Sequence, residues 1–204
     1  MHARAQFASP QQRSRVGRLS VQAILRRIAA GEERAFAELV DLYQGPLFGF
    51  LGRMGIGRAH AEDIAQEVFL RAWTHLPSFD AERAQFSTWL FTIARNLAYS
   101  ALQNPARQYE TQDAELPEQA CQQPGPAQTL ERAQQQAQLQ CALRQLPLTD
   151  RSALALVYVH ELALDDVARI EGASLAATKT RLHRAKHRLR ELLQSTLLLE
   201  SRHE

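Results

Sequence analysis

The sequence predicts an all-α fold: two small helical domains joined by a flexible linker, with a helix-turn-helix in the C-terminal one. Three observations predict it. Apolar residues recur at the 3.6-residue helical period in both halves of the chain. Neither half carries strand alternation or a hairpin signal. Between them, Gln103 to Thr129 holds four of the eight prolines and few apolar residues, the composition of a linker. The expected division is therefore a tail over 1–20, a first domain over 21–102, a linker over 103–129 and a second domain over 130–204.

Met1 to Ser20 has four Arg and no acid and reads as a mobile basic tail. In the first domain Phe36, Leu39, Val40 and Tyr43 repeat at helical spacing after Gly31, and Pro46 is expected to open another short helix that Gly55 and Gly57 end. From Ala61 to Leu76, the residues Ile64, Ala65, Val68, Phe69, Ala72 and Leu76 make a wide buried face. The opposite face sets Asp63, Gln66, Glu67 and Thr74 around an exposed Leu70, which suits a binding partner. From Phe86 to Leu102, Ser87 is placed to cap a helix, with Phe86 and Phe91 at the spacing of a hydrophobic staple. Leu90, Ile93, Ala94 and Leu97 face inward. Thr88, Thr92, Arg95, Asn96 and Tyr99 fall on the outer arc with Trp89 at its edge, and aromatics beside Arg and Asn can stack on and hydrogen-bond exposed bases.

In the second domain the Gln-rich run from Gln134 to Gln140 begins the C-terminal helices. Asp165 to Ser174 reads as a short helix with Val167, Ala168 and Ile170 inward, then Gly172 where a tight turn needs positive φ, then Ser174 as the cap of the next helix. That next helix carries six Lys or Arg in the twelve positions from Lys179 to Arg190, with no carboxylate until Glu191. Leu182, Ala185, Leu189, Leu192 and Leu193 form its anchoring stripe. Arg181, Arg184 and Arg188 lie on one flank of the remaining arc and Lys179, Lys186 and Arg190 on the other, with His183 and His187 between. A short helix, a glycine turn and a basic second helix form the pattern whose second helix enters the DNA major groove. Its N-terminal turns go deepest, so Ser174, Thr178, Lys179, Arg181 and Arg184 are expected near the groove and Arg188 on phosphate.

Composition narrows the function classes. A 204-residue chain with 45% hydrophobic and 23% charged residues is an ordinary globular mixture. It has no run long and apolar enough to span a bilayer and no apolar N-terminal segment of a signal peptide, so a cytoplasmic protein without membrane insertion is expected. Cys121 and Cys141 form no CxxC or zinc-ligand spacing and are expected to be reduced, a redox pair being the alternative. No cofactor, metal or catalytic residue is expected. His60, Asp63 and Glu67 share a helical face, but no second carboxylate and histidine cluster answers from another helix, as a metal centre in a bundle requires.

Three segments together carry a resemblance. "DIAQEVFLRAW", "FSTWLFTIARNLAY" and "LDDVARIEGASLAATKTRLHRAKHRLREL", in this order and with a linker before the third, resemble the extracytoplasmic-function sigma factors of bacterial RNA polymerase. The resemblance implies a subunit that binds core RNA polymerase, recognises minus-10 and minus-35 promoter elements and helps to melt DNA. It places Asp63, Gln66, Glu67, Leu70 and Arg71 at the polymerase. It places the loop from Pro77 to Phe86 and the following helix, with Phe86, Ser87, Thr88, Trp89, Arg95, Asn96 and Tyr99, at the minus-10 strand. The last segment becomes the minus-35 reader, and an anti-sigma factor becomes an expected partner. The alternative is a helix-turn-helix regulator that never enters polymerase, which leaves the helix from Asp63 to Trp73 unexplained.

Overall fold

The computed structural model describes the backbone of residues 10–103 and 126–200 and the side chains of residues 20–103 and 135–194. Every regular element among them is helical: α1 (Pro10–Ala29), α2 (Phe36–Arg53), α3 (Arg58–His75), α4 (Phe86–Gln103), α5 (Pro126–Arg144), α6 (Leu148–Tyr158), α7 (Leu164–Glu171) and α8 (Leu175–Glu200), with single 3-10 turns before α2 and after α3. The centre of the expected linker, residues 104–125, lies outside the described residues.

The first half is built on α2, α3 and α4. Leu39, Leu47, Phe50 and Leu51 of α2, Ile64, Ala65, Val68 and Ala72 of α3, and Phe86, Leu90, Phe91, Ala94 and Ala98 of α4 meet in its core. Fully burying a side chain such as Phe50 contributes about 1.5–3 kcal/mol. Its ring meets Phe91 edge-on at 5.6 Å. α1 adds Val21 and Ile24 to this core, and Arg27 fixes its exit, donating to Glu32 at 2.8 and 2.5 Å and to Glu38 at 2.7 Å. In the second half α6, α7 and α8 converge through Leu154, Leu156, Val167, Ile170, Leu182 and Ala185, and α5 packs along α8.

Three expectations give way. Helix α1 begins at Pro10, so the second part of the expected mobile tail is helical. Pro46 does not open a new helix; α2 runs through it to Arg53. Pro46 removes the bond to the carbonyl of Leu42, but both residues are exposed, so water can satisfy that oxygen, while Leu39, Leu47 and Phe50 hold the two parts of the helix to one core. Ser87 lies inside the first turn of α4 and does not cap it: the N–H of Trp89 bonds the carbonyl of Gln85 at 3.1 Å, one residue ahead of the helix start.

The halves do not stand apart. α4 packs against α7, α2 against α6, and the buried apolar residues form one continuous cluster running from Val21 to Ala185. His160, just beyond α6, stacks its ring on Phe91 with centroids 4.7 Å apart and meets Phe50 at 6.2 Å. Arg151 of α6 donates from Nη1 to the carbonyl of Met54 at 2.8 Å.

Candidate nucleic-acid interface

Helix α3 buries Ala61, Ile64, Ala65, Val68 and Ala72, and by its period it turns Asp63, Gln66, Leu70 and Arg71 to solvent. Leu70 is 59% exposed. Glu67 is half-buried and accepts a 2.6 Å bond from Arg71 Nε, an i,i+4 pair worth a few tenths of a kcal/mol that holds both side chains along the face. The expected face exists as an exposed leucine ringed by hydrogen-bonding groups. Among the described residues no three His, Cys, Asp or Glu gather as they would to hold a metal ion.

On α4 the expected minus-10 residues separate into two groups. Phe86 is only 3% exposed and sits in an aromatic cluster with Tyr43, Phe79 and Trp89 at centroid distances of 5.4, 5.8 and 5.7 Å. It is a core residue: the helix starts at Phe86 itself, ahead of the expected Ser87 cap, and the Phe86 ring points into this cluster and not onto the outer arc. Ser87 hydrogen-bonds Tyr43, whose hydroxyl is pushed above its ordinary pKa by burial. Trp89 is half-buried against Phe79 at 5.0 Å. Asn96 is exposed and accepts from Arg95 at 3.1 Å, and the Arg95 guanidinium lies 4.0 Å over the Tyr99 ring. Thr88 is buried and donates to Asp166 of α7 at 3.0 Å.

The turn between α7 and α8 follows the expected chemistry. Gly172 ends α7 in the left-handed region at φ 62°, which costs glycine nothing. Ser174 Oγ accepts the N–H of Ala177 at 3.2 Å and caps α8. Lys179 and Arg184 are exposed, Arg181 is half-buried, and Arg188 is exposed with Nη1 3.5 Å from Asp150. Thr178 is the exception: it is fully buried, its hydroxyl donating to the carbonyl of Ser174 at 3.0 Å. A threonine whose hydroxyl is satisfied within its own helix packs as an apolar side chain, so Thr178 belongs to the core and not to the groove surface.

Two buried carboxylates that bond across the two halves escaped the sequence reading, as did the buried Asp150 beside Arg188. The side chain of Glu171 has no exposed surface; it accepts from Ser152 at 2.5 Å and from Tyr99 at 3.3 Å and pairs with Arg95 at 3.6 Å and Arg181 at 3.7 Å. Burial, then the Glu171 charge, pushes the Tyr99 hydroxyl up to about 12. Asp166 accepts from Thr88 and, at 3.5 Å, from Gln85. The signal was present: Val167, Ile170 and Glu171 share the i, i+3, i+4 spacing of an inward face.

Comparison with known proteins shows the family. Residues 39–108 match the family Sigma-70 region 2, and residues 136–189 match Sigma-70, region 4. The ECF RNA polymerase sigma factor SigW of Bacillus subtilis is 32% identical over 188 residues, covering 83% of this chain and 95% of SigW. The chain belongs to the extracytoplasmic-function sigma factors. RpoE of Cereibacter sphaeroides, another, is 33% identical over 160 residues, covering 78% of this chain and 87% of its own. Among solved structures, CnrH in complex with the cytosolic domain of CnrY superposes with a TM-score of 0.64 at 25% identity, covering 85% of this chain and 96% of CnrH. The sigma factor RpoE in complex with the anti-sigma factor NepR from Bartonella quintana gives 0.61 at 28%, covering 78% and 96%.

As a sigma factor, the protein directs promoter-specific transcription by RNA polymerase. The region 2 match spans the α3 face and all of α4, and the region 4 match spans the α7 turn and the basic part of α8. No helix among the described residues is long and apolar enough to cross a membrane.

Proposed function

We propose that the α3 face carrying Asp63, Gln66, Glu67, Leu70 and Arg71 engages core RNA polymerase. Ser87, Trp89, Arg95, Asn96 and Tyr99 of α4 handle the opened minus-10 strand, while Thr88, buried against Asp166, is a packing residue. Ser174, Lys179, Arg181 and Arg184 at the start of α8 read the minus-35 element, and Arg188 holds a phosphate. The division of labour follows domains over 21–102 and 130–204 tethered by 103–129: two modest DNA-binding modules on one chain gain effective concentration once polymerase sets their separation. The protein works in the cytoplasm, without catalytic chemistry of its own, and an anti-sigma factor restrains it. Support for that partner comes from CnrH and RpoE, whose structures hold CnrY and NepR.

The observation that carries the polymerase assignment is Leu70, 59% exposed at the centre of a polar ring on a helix whose opposite face buries Ile64, Ala65, Val68 and Ala72. An exposed leucine so placed gains by covering, and the surrounding groups give the contact its register. Replacing Gln66 and Glu67 together by Ala should weaken holoenzyme assembly while helical content is kept. A titration against core polymerase that returns the wild-type affinity would sink the assignment.

A further inference from the structure

The outward seam at the start of α8 is apolar although the helix around it is basic. At 3.6 residues per turn, a residue two positions from another lies on nearly the opposite side of a helix. Thr178 and Leu182 are buried in the core, so Ala176 and Thr180 point away from it, and both are exposed. Ala177, also exposed, stands beside them in the first turn. By the same period Lys179 flanks the seam on one side and Arg184 on the other, both exposed, and His183 follows one turn further along. None of the three seam side chains has a donor to offer a base. Ala176 and Ala177 carry no polar atom, and the Thr180 hydroxyl donates to the carbonyl of Ala176 at 3.0 Å.

The N-terminal turns of a reading helix go deepest into the major groove, so this seam meets base edges before any of the flanking cations does. The purine edges there, guanine N7 and O6 and adenine N7, accept hydrogen bonds and gain nothing from a surface without donors. The one apolar feature of the groove floor is the thymine C5-methyl. An alanine or threonine methyl laid against it takes apolar surface out of water on both molecules. We propose that Ala176, Ala177 and Thr180 select thymine methyl groups in the minus-35 element, with Lys179 and Arg184 supplying the polar contacts on either side. The small size of the two alanines serves the same end, because a longer side chain in the first turn would hold the helix away from the groove floor. The inference rests on the reading of α8 as the minus-35 helix.

The test alters the DNA and leaves the protein intact. The full chain is assembled with core polymerase, a promoter fragment is recovered by selection with that holoenzyme, and each thymine of its minus-35 element, on either strand, is replaced singly by deoxyuridine. The replacement keeps every hydrogen bond of the base pair and removes only the methyl. At one or two positions it is expected to weaken binding about fourfold, the worth of one methyl group taken out of water. Placing a 5-methylcytosine pair at such a position should bind more tightly than the plain cytosine pair, because the methyl is returned to the groove. In Ala176→Gly or Ala177→Gly the difference between thymine and deoxyuridine at that position should vanish; it is read within each variant, so any general weakening from the glycine cancels. Equal binding of every deoxyuridine fragment, or a selected element with no thymine on either strand, overturns the selection of thymine. If scrambling the whole minus-35 element leaves affinity unchanged, the reading of α8 as the minus-35 helix fails, and the inference fails with it.

Discussion

Acid should weaken this protein through His160. Its imidazole is largely buried between Phe50 and Phe91, and burial, then the charge of Arg53, lowers its pKa from 6.5 to about 4. In the unfolded chain the group takes a proton near pH 6.5; in the folded chain it resists until about pH 4. Below pH 6.5 the unfolded state therefore binds more protons. The stability is fully present above 6.5 and falls as the pH drops toward 4. At 1.36 kcal/mol per unit the loss reaches about 2 kcal/mol at pH 5 and about 3 kcal/mol at pH 4. The assay is urea unfolding from pH 7.5 to 4 for the wild type and for His160→Gln, which is close in volume and does not titrate. Carboxylates contribute equally to both proteins, so the difference between the two curves isolates His160. Parallel curves over the whole range would refute the placement of a neutral histidine in this contact.

Other expected outcomes follow from single contacts. Gly172→Ala meets no neighbour within 4 Å but must hold φ 62°, so it should cost about 1–2 kcal/mol in thermal unfolding, with Gly172→Asn costing less. Arg188→Ala should flatten the salt dependence of promoter binding, lowering the slope of log affinity against log salt by about 0.9, whereas Arg181→Ala should relax preference at one base and cost about 1–3 kcal/mol on the preferred sequence. Uniform losses from both would show that α8 clamps backbone and reads little. Tyr99→Ala should impair promoter melting more than initial holoenzyme binding, which permanganate reactivity of unpaired thymines reports, and a normal bubble would count against it.

Much of the fold was legible because the signals were local. The stripes Ile64, Ala65, Val68, Ala72 and Leu182, Ala185, Leu189 each report a helix within a few turns of sequence, and Gly172 with Ser174 marks the turn between α7 and α8. The exposed Leu70 was legible for the same reason. What stayed hidden depends on distance or on polar groups in apolar roles. Thr88 and Asp166 lie 78 residues apart, Tyr99 and Glu171 72 apart, and no periodicity within either helix announces the other. Thr178 reads as polar until its hydroxyl is seen to be satisfied by Ser174. Phe86 reads as a staple beside a DNA-facing arc, yet its ring completes a cluster with Phe79, which precedes the helix, and Tyr43 of α2. Pro46 reads as a helix start, because only the shared core on both sides of it makes its cost acceptable.

The central claim is that this chain gives RNA polymerase its promoters, and transcript mapping tests it most directly. Purified protein is added to core polymerase free of other sigma subunits, and the 5′ ends of transcripts made on genomic DNA from its source organism are mapped. A small set of discrete start sites, absent with core alone and preceded by shared sequence at the minus-35 and minus-10 positions, is the expected result. The same scattered ends with and without the protein would contradict it.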